Sequence, residues 1–176
     1  MRIRLYLTLL AAIFLVASSS CYIINFSKDF EFDLTFEVNS DTTSLNEIYL
    51  LDAVVYNNFE EYVDYIETIE IKSATCSLTS FSGTDDQTLT NGLLTVSDEN
   101  GSESHVLATL PTELLQHLLI AERTLNLDEA GINMVEGLIK NAPHKCQGIL
   151  TGDISSSPVN FTMKFHFLAT ITGSLL

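Results

Sequence analysis

From Tyr22 to Val38 the chain reads YIINFSKDFEFDLTFEV, in which apolar residues occupy almost every even position. The odd positions carry polar side chains, and only Ile23 and Lys28 interrupt the alternation. A period of two residues is typical of a β-strand with one face in a core and the other in water. We therefore predict a long first strand, with a break near Ser27 because few strands run to this length.

Six further segments have the composition of strands. They are Leu45 to Tyr56, Ile69 to Phe81, Leu89 to Ser97, Glu103 to Leu110, Cys146 to Ile154 and Val159 to Ile171. In the second of these the apolar parity changes near Ser73, which predicts a β-bulge. Asn100 and Gly101 separate the third from the fourth, and this dipeptide is a strong hairpin signal because both residues tolerate a positive φ.

Three segments have a helical period instead. They are Phe59 to Ile66 after a cap at Asn57 or Asn58, Pro111 to Leu119, and Leu127 to Lys140 after a cap at Asn126. The strands thus follow one another with helices in only two connections. This order predicts a mainly β (α+β) fold, an antiparallel β-sandwich of about seven strands with helices in two connections.

The first and last strands offer a test of the topology. If they pair, Lys164 and His166 lie across from the acidic residues between Asp29 and Asp33. Such cross-strand pairs contribute about 0.2–1 kcal/mol each.

The N-terminus has the pattern of a secretory signal. Arg2 and Arg4 precede an apolar run from Leu5 to Ala17, which is shorter than the ~20 residues that a transmembrane helix needs. We therefore predict a lipoprotein-type signal peptide over residues 1–20 and a single β-rich domain over residues 21–176.

Small residues lead into Cys21, and this junction resembles a bacterial lipobox, although Ser18 stands where the usual pattern has Leu. Ordinary signal cleavage after Ser19 is the alternative. Lipid attachment at Cys21 would leave an even pair, Cys76 and Cys146, whereas ordinary cleavage would leave an odd thiol. We predict that Cys21 carries the lipid anchor.

The net charge of the chain is −15, from 23 acidic and 8 basic residues. Removal of the signal takes away Arg2 and Arg4, which leaves 6 basic residues and a net charge of −17. Nucleic-acid binding depends on Lys and Arg that neutralise phosphates, so it is excluded as a function class. An anionic membrane surface would also repel this domain.

No catalytic or cofactor motif occurs in the sequence. The GxGxxG, GxxxxGK[ST], GxSxG and HExxH patterns are all absent. His144 and Cys146 are close in sequence, but no third group points to a nucleophile or a metal site there. The acidic pairs Asp85-Asp86 and Asp98-Glu99 are explained as turn residues. We predict no enzyme activity, no catalytic residue, no metal and no cofactor.

Cys76 shares the parity of Ala74 and Leu78, so it is expected to face the core and to behave as a structural residue. Export leads to a compartment where disulfides persist. The sequence leaves open whether Cys76 and Cys146 are bonded, because it does not tell how closely their Cα atoms approach.

Three segments carry a resemblance to known proteins: IEIKSATCSLTSFSG (69–83), TLTNGLLTV (88–96) and GDISSSPVNFTMKFHF (152–167). Together with the signal that ends at Cys21, they resemble a loose group of exported, β-rich Bacteroidetes lipoproteins. The resemblance implies a location in the bacterial cell envelope, as an outer-membrane lipoprotein facing the periplasm or the cell surface. It implies no specific activity.

These features lead to two hypotheses of function. The first is a non-catalytic envelope protein, held to the membrane by lipid, that acts through contacts with an envelope protein or a glycan. The second is a carrier of an apolar ligand held between the Leu-rich helices and the Phe-rich sheet.

Overall fold

The computed structural model describes residues 24–56 and 59–175. Its strands are β1 Ile24–Ser40, β2 Ser44–Asp52, β3 Ile66–Ser82, β4 Thr88–Ser97, β5 Ser104–Thr109, β6 Glu113–Leu114, β7 Arg123–Thr124, β8 Lys145–Ile154 and β9 Val159–Leu175. They form two antiparallel sheets. Sheet I has the strand order β1-β9-β3-β7, and sheet II has the order β2-β8-β4-β5 with the short β6 beside β4. The fold is therefore mainly β, a two-sheet antiparallel sandwich as predicted.

The first strand illustrates why this sandwich forms. Its even positions from Phe30 to Val38 are buried, whereas acidic side chains alternate with them, as the period of two requires. β1 pairs with β9 without interruption from Ile24 to Ser40, so the break predicted near Ser27 is absent. The continuous partner strand explains the difference, because every residue of β1 has a residue opposite it.

The core lies between the two sheets and is built largely from Phe and Leu. Its largest fully buried side chains are Phe30, Phe32, Phe36, Phe59, Phe161, Phe165, Phe167, Leu51, Leu89, Leu94, Leu107 and Leu115. Phe32 and Phe167 stack across β1 and β9 with ring centroids 4.8 Å apart. Such aromatic pairs contribute about 0.5–1.5 kcal/mol beyond the burial of their area.

Two local predictions about strands are confirmed. The register of β3 against β9 shifts between Ile71 and Ser73, which is where the parity change predicts a bulge. β4 and β5 form the predicted hairpin, and Gly101 in its turn has a φ of 70°. A glycine suits this position because it has no Cβ to oppose a left-handed backbone.

The helices differ in part from the prediction. The described helices are α1 Leu115–Ile120 and α2 Glu129–Lys140. The segment after β2 forms only short 3₁₀ turns, Ala53–Val55, Phe59–Glu61 and Val63–Tyr65, instead of an α-helix over 59–66. The Tyr62 N–H donates to the Phe59 carbonyl and the Tyr65 N–H to the Tyr62 carbonyl, each three residues back, so the segment closes as 3₁₀ turns around the buried Phe59. Asn57 and Asn58 lie outside the described residues.

The N-cap of α2 is Asp128, not Asn126 as predicted. The Asp128 carboxylate accepts a hydrogen bond from the Ala130 backbone N–H at 2.9 Å. The Asp128 N–H in turn donates to the Leu107 carbonyl at 2.9 Å, so the preceding residues run along β5 before the helix begins. Pairing with β5 thus moves the start of the helix to a later residue in the chain.

α2 packs against β3 of sheet I and β5 of sheet II and so closes one side of the sandwich. Val135 and Ile139 are its most deeply buried apolar side chains. Gly131 allows the close approach, because a Cβ at this position would lie 2.4 Å from the Val106 carbonyl oxygen and 2.6 Å from the Leu107 Cα.

The predicted signal peptide and Cys21 lie outside the described residues. Within residues 24–56 and 59–175, neither helix has the length and apolar composition that a transmembrane segment requires.

Candidate interaction surface

The outer face of sheet II consists of three rows of side chains that cross four strands. Strand alternation and register place them opposite one another, because residues paired in a sheet share a face. The rows are Asn46–Thr151–Leu93–Thr109, Ile48–Ile149–Thr95–Val106 and Leu50–Gln147–Ser97–Ser104. These twelve positions, which we call the uncharged face, contain no acidic or basic residue, and all of them except the buried Ser97 are at least partly exposed. The chain has 31 charged residues in all, so this face is a distinct region of its surface.

Apolar side chains of the uncharged face are in contact with solvent. Ile48 is 62% exposed, Leu50 is 53% exposed and Val106 is 39% exposed. Ile149 and Leu93 are half-buried beside them. A contiguous group of exposed apolar side chains on a soluble domain commonly marks a site of contact with another molecule.

Charged residues lie at both ends of the uncharged face. At one end Nζ of Lys145 lies 3.0 Å from Oδ2 of Asp52. At the other end Asp153 accepts a hydrogen bond from the Asn91 side-chain amide at 2.9 Å. Each of these carboxylates has a partner within the domain, and the charges lie at the two ends of the uncharged face and not within it.

The outer face of sheet I has the opposite character. The first and last strands pair, and Asp33 on β1 lies opposite His166 on β9, whereas Lys164 lies opposite Thr35. The Asp33 carboxylate is 2.8 Å from Nζ of Lys164 and 2.8 Å from Nδ1 of His166. Partial burial raises the pKa of Asp33, but the hydrogen bonds from Lys164 and His166 outweigh it and hold the pKa below its usual value.

The same row contains a hydroxyl, an imidazole and a carboxylate. Thr75 on β3 lies opposite His166, which lies opposite Asp33. In a nucleophilic site the hydroxyl would donate to the histidine. Here Oγ1 of Thr75 donates to Oε2 of Glu122 at 3.2 Å. The row is therefore arranged as cross-strand ion pairs and not as a nucleophile with its base.

Cys76 and Cys146 are free, buried thiols in the structure. Cys76 lies on β3 of sheet I and Cys146 on β8 of sheet II. Burial raises the pKa of Cys76 to about 11 and that of Cys146 to about 12, so both remain protonated at neutral pH. These properties are those of structural cysteines.

His144 does not activate Cys146. Its Nδ1 lies 2.8 Å from the Ile139 carbonyl oxygen, and its ring meets Phe59 edge-on at a centroid distance of 6.1 Å. The imidazole thus anchors the end of α2 to the loop before β8.

The loops that contain the acidic pairs Asp85-Asp86 and Asp98-Glu99 are held by local hydrogen bonds. Oδ1 of Asp98 accepts from the backbone N–H groups of Asn100 and Ser102, and Asp86 accepts from the Thr84 hydroxyl. Within the described ranges, no three His, Cys, Asp or Glu side chains form a group that could hold a metal ion.

A surface cleft of about 540 Å³ lies between α2 and the end of the β4–β5 hairpin. Ala130, Met134 and Leu138 supply its apolar wall, and His105 and Asn141 are among its polar side chains. The region between the helices and the sheets, where the sequence hypothesis places an apolar ligand, is instead occupied by buried side chains.

Sequence reasoning missed the uncharged face, although a signal for it exists. Charged residues are absent from the even positions 44–50 and from the odd positions 147–151. Either pattern by itself is typical of an ordinary strand. Only the adjacency of β2, β8, β4 and β5 in sheet II joins them into one surface.

Neither a scan against protein-family models nor a search of curated proteins finds a match to this chain. Among solved structures, similar chains include the decameric BFDV capsid protein, at 9% identity and a TM-score of 0.37, over 84% of this chain and 99% of that chain. A second is from Desmodium yellow mottle tymovirus, at 7% identity and a TM-score of 0.38, over 87% of this chain and 84% of that chain. Similarity at this level supports no conclusion about function.

Proposed function

We propose that this chain is a lipid-anchored, non-catalytic protein of the bacterial cell envelope that acts through contacts made by its uncharged face. The signal-like N-terminus and Cys21 support the location. The absence of charge from all twelve positions of the face supports the mode of action and is the observation on which the proposal rests.

The physical argument concerns desolvation. A charged side chain that enters an interface loses its hydration, which costs free energy unless a partner compensates for it. Apolar area that is removed from water contributes about 25 cal/mol per Å². A face with exposed Ile48, Leu50 and Val106, half-buried Ile149 and Leu93, and otherwise only hydroxyl and amide groups therefore favours association.

A protein is the better partner for this face than a glycan. Sugar-binding sites commonly stack rings on exposed aromatic side chains, and none of the twelve positions is aromatic. The absence of charged residues from the face instead matches the depletion of charge at the core of a protein–protein interface.

Photo-crosslinking in living cells tests this proposal. A photoreactive amino acid at Ile48 is expected to capture a partner protein, whereas the same amino acid at Leu168 is not. Leu168 is the matched control because it is an exposed aliphatic residue on the outer face of the other sheet. Equal capture at both positions, or none at Ile48, would contradict the proposal.

The cleft beside α2 favours a second candidate function, a carrier of an apolar ligand. Its volume of about 540 Å³ and its Met134 and Leu138 wall fit a small apolar molecule. Native mass spectrometry of the full chain purified from its own cells would detect such a ligand. A co-purifying molecule that Met134→Glu removes would support the carrier, and a ligand-free protein would argue against it.

A further inference from the structure

The free edges of the two sheets differ in how they are covered. On sheet II the edge of β5 carries a bridge from Ala108 to Leu127. On sheet I the edge strand β1 accepts a hydrogen bond from the Tyr56 hydroxyl at the Asp33 carbonyl and alternates with charged side chains. Such charges are a usual defence of an edge strand against association.

β2 is the other edge strand of sheet II, and it has fewer defences. Its nine residues, SLNEIYLLD, include two charges, at Glu47 and at the end residue Asp52, which is paired with Lys145. Ile48 and Leu50 are exposed along it. An exposed, apolar edge strand is a template for pairing with another strand.

We propose that β2 pairs antiparallel with β2 of a second copy of this chain, with Ile48 on the two-fold axis. A contact between identical surfaces of this kind is isologous and closes as a dimer. Ile48 is the midpoint of Ser44–Asp52, so this register gives all nine residues a partner. The inference rests on the edge position and residue order of β2, and it goes beyond the proposed function, which requires no self-association.

The side chains match in this register. Ile48 meets itself, Asn46 meets Leu50, and the buried Leu45 and Leu51 lie opposite each other. Glu47 faces Tyr49, so no two carboxylates oppose one another. Ser44 at one end faces Asp52 and brings a hydroxyl donor to a carboxylate.

Neighbouring registers that keep the outer faces of the two copies on the same side place less compatible side chains opposite one another. A shift that centres the pair on Glu47 places two carboxylates opposite each other, which destabilises a strand pair. A shift that centres it on Leu50 places Ile48 against Asp52. A centre at Tyr49 places Glu47 against the buried Leu51. Charge and burial thus select the Ile48 register.

Pairing in this register would join the uncharged faces of the two copies into one surface, because a two-fold axis perpendicular to a sheet keeps outer faces on the same side. The net charge of −15 repels the two copies at a distance, and salt screens this repulsion. We therefore expect the dimer to strengthen as ionic strength rises.

Cysteine substitution in the full chain, expressed in its own cells, tests both the pairing and its register. Ile48→Cys is expected to form a disulfide-linked dimer, because the paired Cα atoms of antiparallel strands lie within the roughly 7 Å that a disulfide spans. Asn46→Cys and Leu50→Cys are expected to stay monomeric alone and to form a mixed dimer when expressed together with different tags. Leu168→Cys is the control for chance collision.

A monomeric Ile48→Cys variant, or one that dimerises no more than Leu168→Cys, would overturn the inference. Dimerisation of Asn46→Cys alone would overturn the register. These outcomes are distinct from failure of the proposed function, because photo-crosslinking at Ile48 to a protein of a different mass would still support that function without any dimer.

Discussion

Oδ1 of Asp33 lies 2.8 Å from Nδ1 of His166, across two strands whose residues are 133 positions apart in the sequence. Lys164 contacts the other oxygen of the same carboxylate at 2.8 Å. The pair therefore ties the first strand of the domain to the last one and fixes their register on the outer face of sheet I.

We expect Asp33→Asn to destabilise the domain at neutral pH by about 0.5–1 kcal/mol, since the ion pairs are about one-third exposed and screened by solvent. The pKa of Asp33 is lowered in the folded state. Its contribution is thus present above the unfolded pKa of about 4 and is lost as the pH falls through the folded pKa. Urea unfolding of wild type and Asp33→Asn at pH 7 measures the loss of stability. The same experiment below pH 4 measures how far the difference between them disappears.

The control for this experiment is Glu37→Gln, because Glu37 lies opposite the neutral Thr162 on the same strand pair. It should change stability less than Asp33→Asn at pH 7. A difference between wild type and Asp33→Asn that is the same at both pH values would refute the assigned role of the carboxylate.

Gly131→Ala is expected to destabilise the domain by about 1–3 kcal/mol, because the added Cβ would collide with the backbone of β5. Gly137→Ala, in the same helix, is the matched control. Apart from the backbone of α2 itself and the neighbours of Gly137 in the chain, no atom of the described residues lies within 4 Å of a Cβ at position 137. This change should therefore raise stability by up to about 1 kcal/mol through helix propensity. Thermal unfolding of both variants measures the difference, and equal effects would mean that α2 does not approach β5 as closely as described.

Gln87 is a buried amide that connects the β3–β4 loop to the β8–β9 loop. Its Nε2 donates to the carbonyls of Ser156 and Pro158 at 2.8 and 3.1 Å, and its Oε1 accepts from the Thr84 N–H at 3.0 Å. Gln87→Ala removes all three hydrogen bonds, each of which contributes about 0.5–1.5 kcal/mol, and should cost about 1–3 kcal/mol. Gln147→Ala removes one exposed hydrogen bond, to the Glu99 carbonyl, and should cost less. Chemical denaturation of the two variants compares their free energies of unfolding. A larger loss in Gln147→Ala than in Gln87→Ala would contradict the prediction.

Cys76 and Cys146 should react slowly with alkylating reagents in the folded protein. With a pKa of about 11, the thiolate of Cys76 is on the order of one part in ten thousand at pH 7, and burial restricts access further. Mass spectrometry after alkylation, with and without denaturant, compares the two states. Rapid native modification of Cys146 would contradict its assignment as a structural residue, and protection that persists in denaturant until reductant is added would reveal a disulfide.

Cys21 should carry lipid in the mature protein. Cells that are fed a labelled acyl precursor are expected to label the wild type and not Cys21→Ser. Equal labelling of both would show that the lipid is not attached at Cys21, and a mature N-terminus before residue 21 would show ordinary signal cleavage. Either result would remove the Cys21 anchor from the proposed function.

The alternation from Phe30 to Val38 was sufficient to predict β1, because a period of two is set by local backbone geometry and by which side chains avoid water. The same holds for the Gly101 turn and the bulge at Ser73. The helix predicted over 59–66 and the cap predicted at Asn126 were wrong, since the packing of Phe59 in the core and the pairing with β5 override local propensity.

What the sequence determined by itself is therefore the class of the fold and the alternation within each strand. The tertiary structure decided which strands are neighbours. Antiparallel partners are chosen by packing between residues far apart in the chain, and this choice places His166 against Asp33 on one sheet and Ile48 beside Ile149 on the other. The polar and uncharged faces, and the position of β2 at the edge of the described sheet II, exist only because separate strands with ordinary patterns lie side by side.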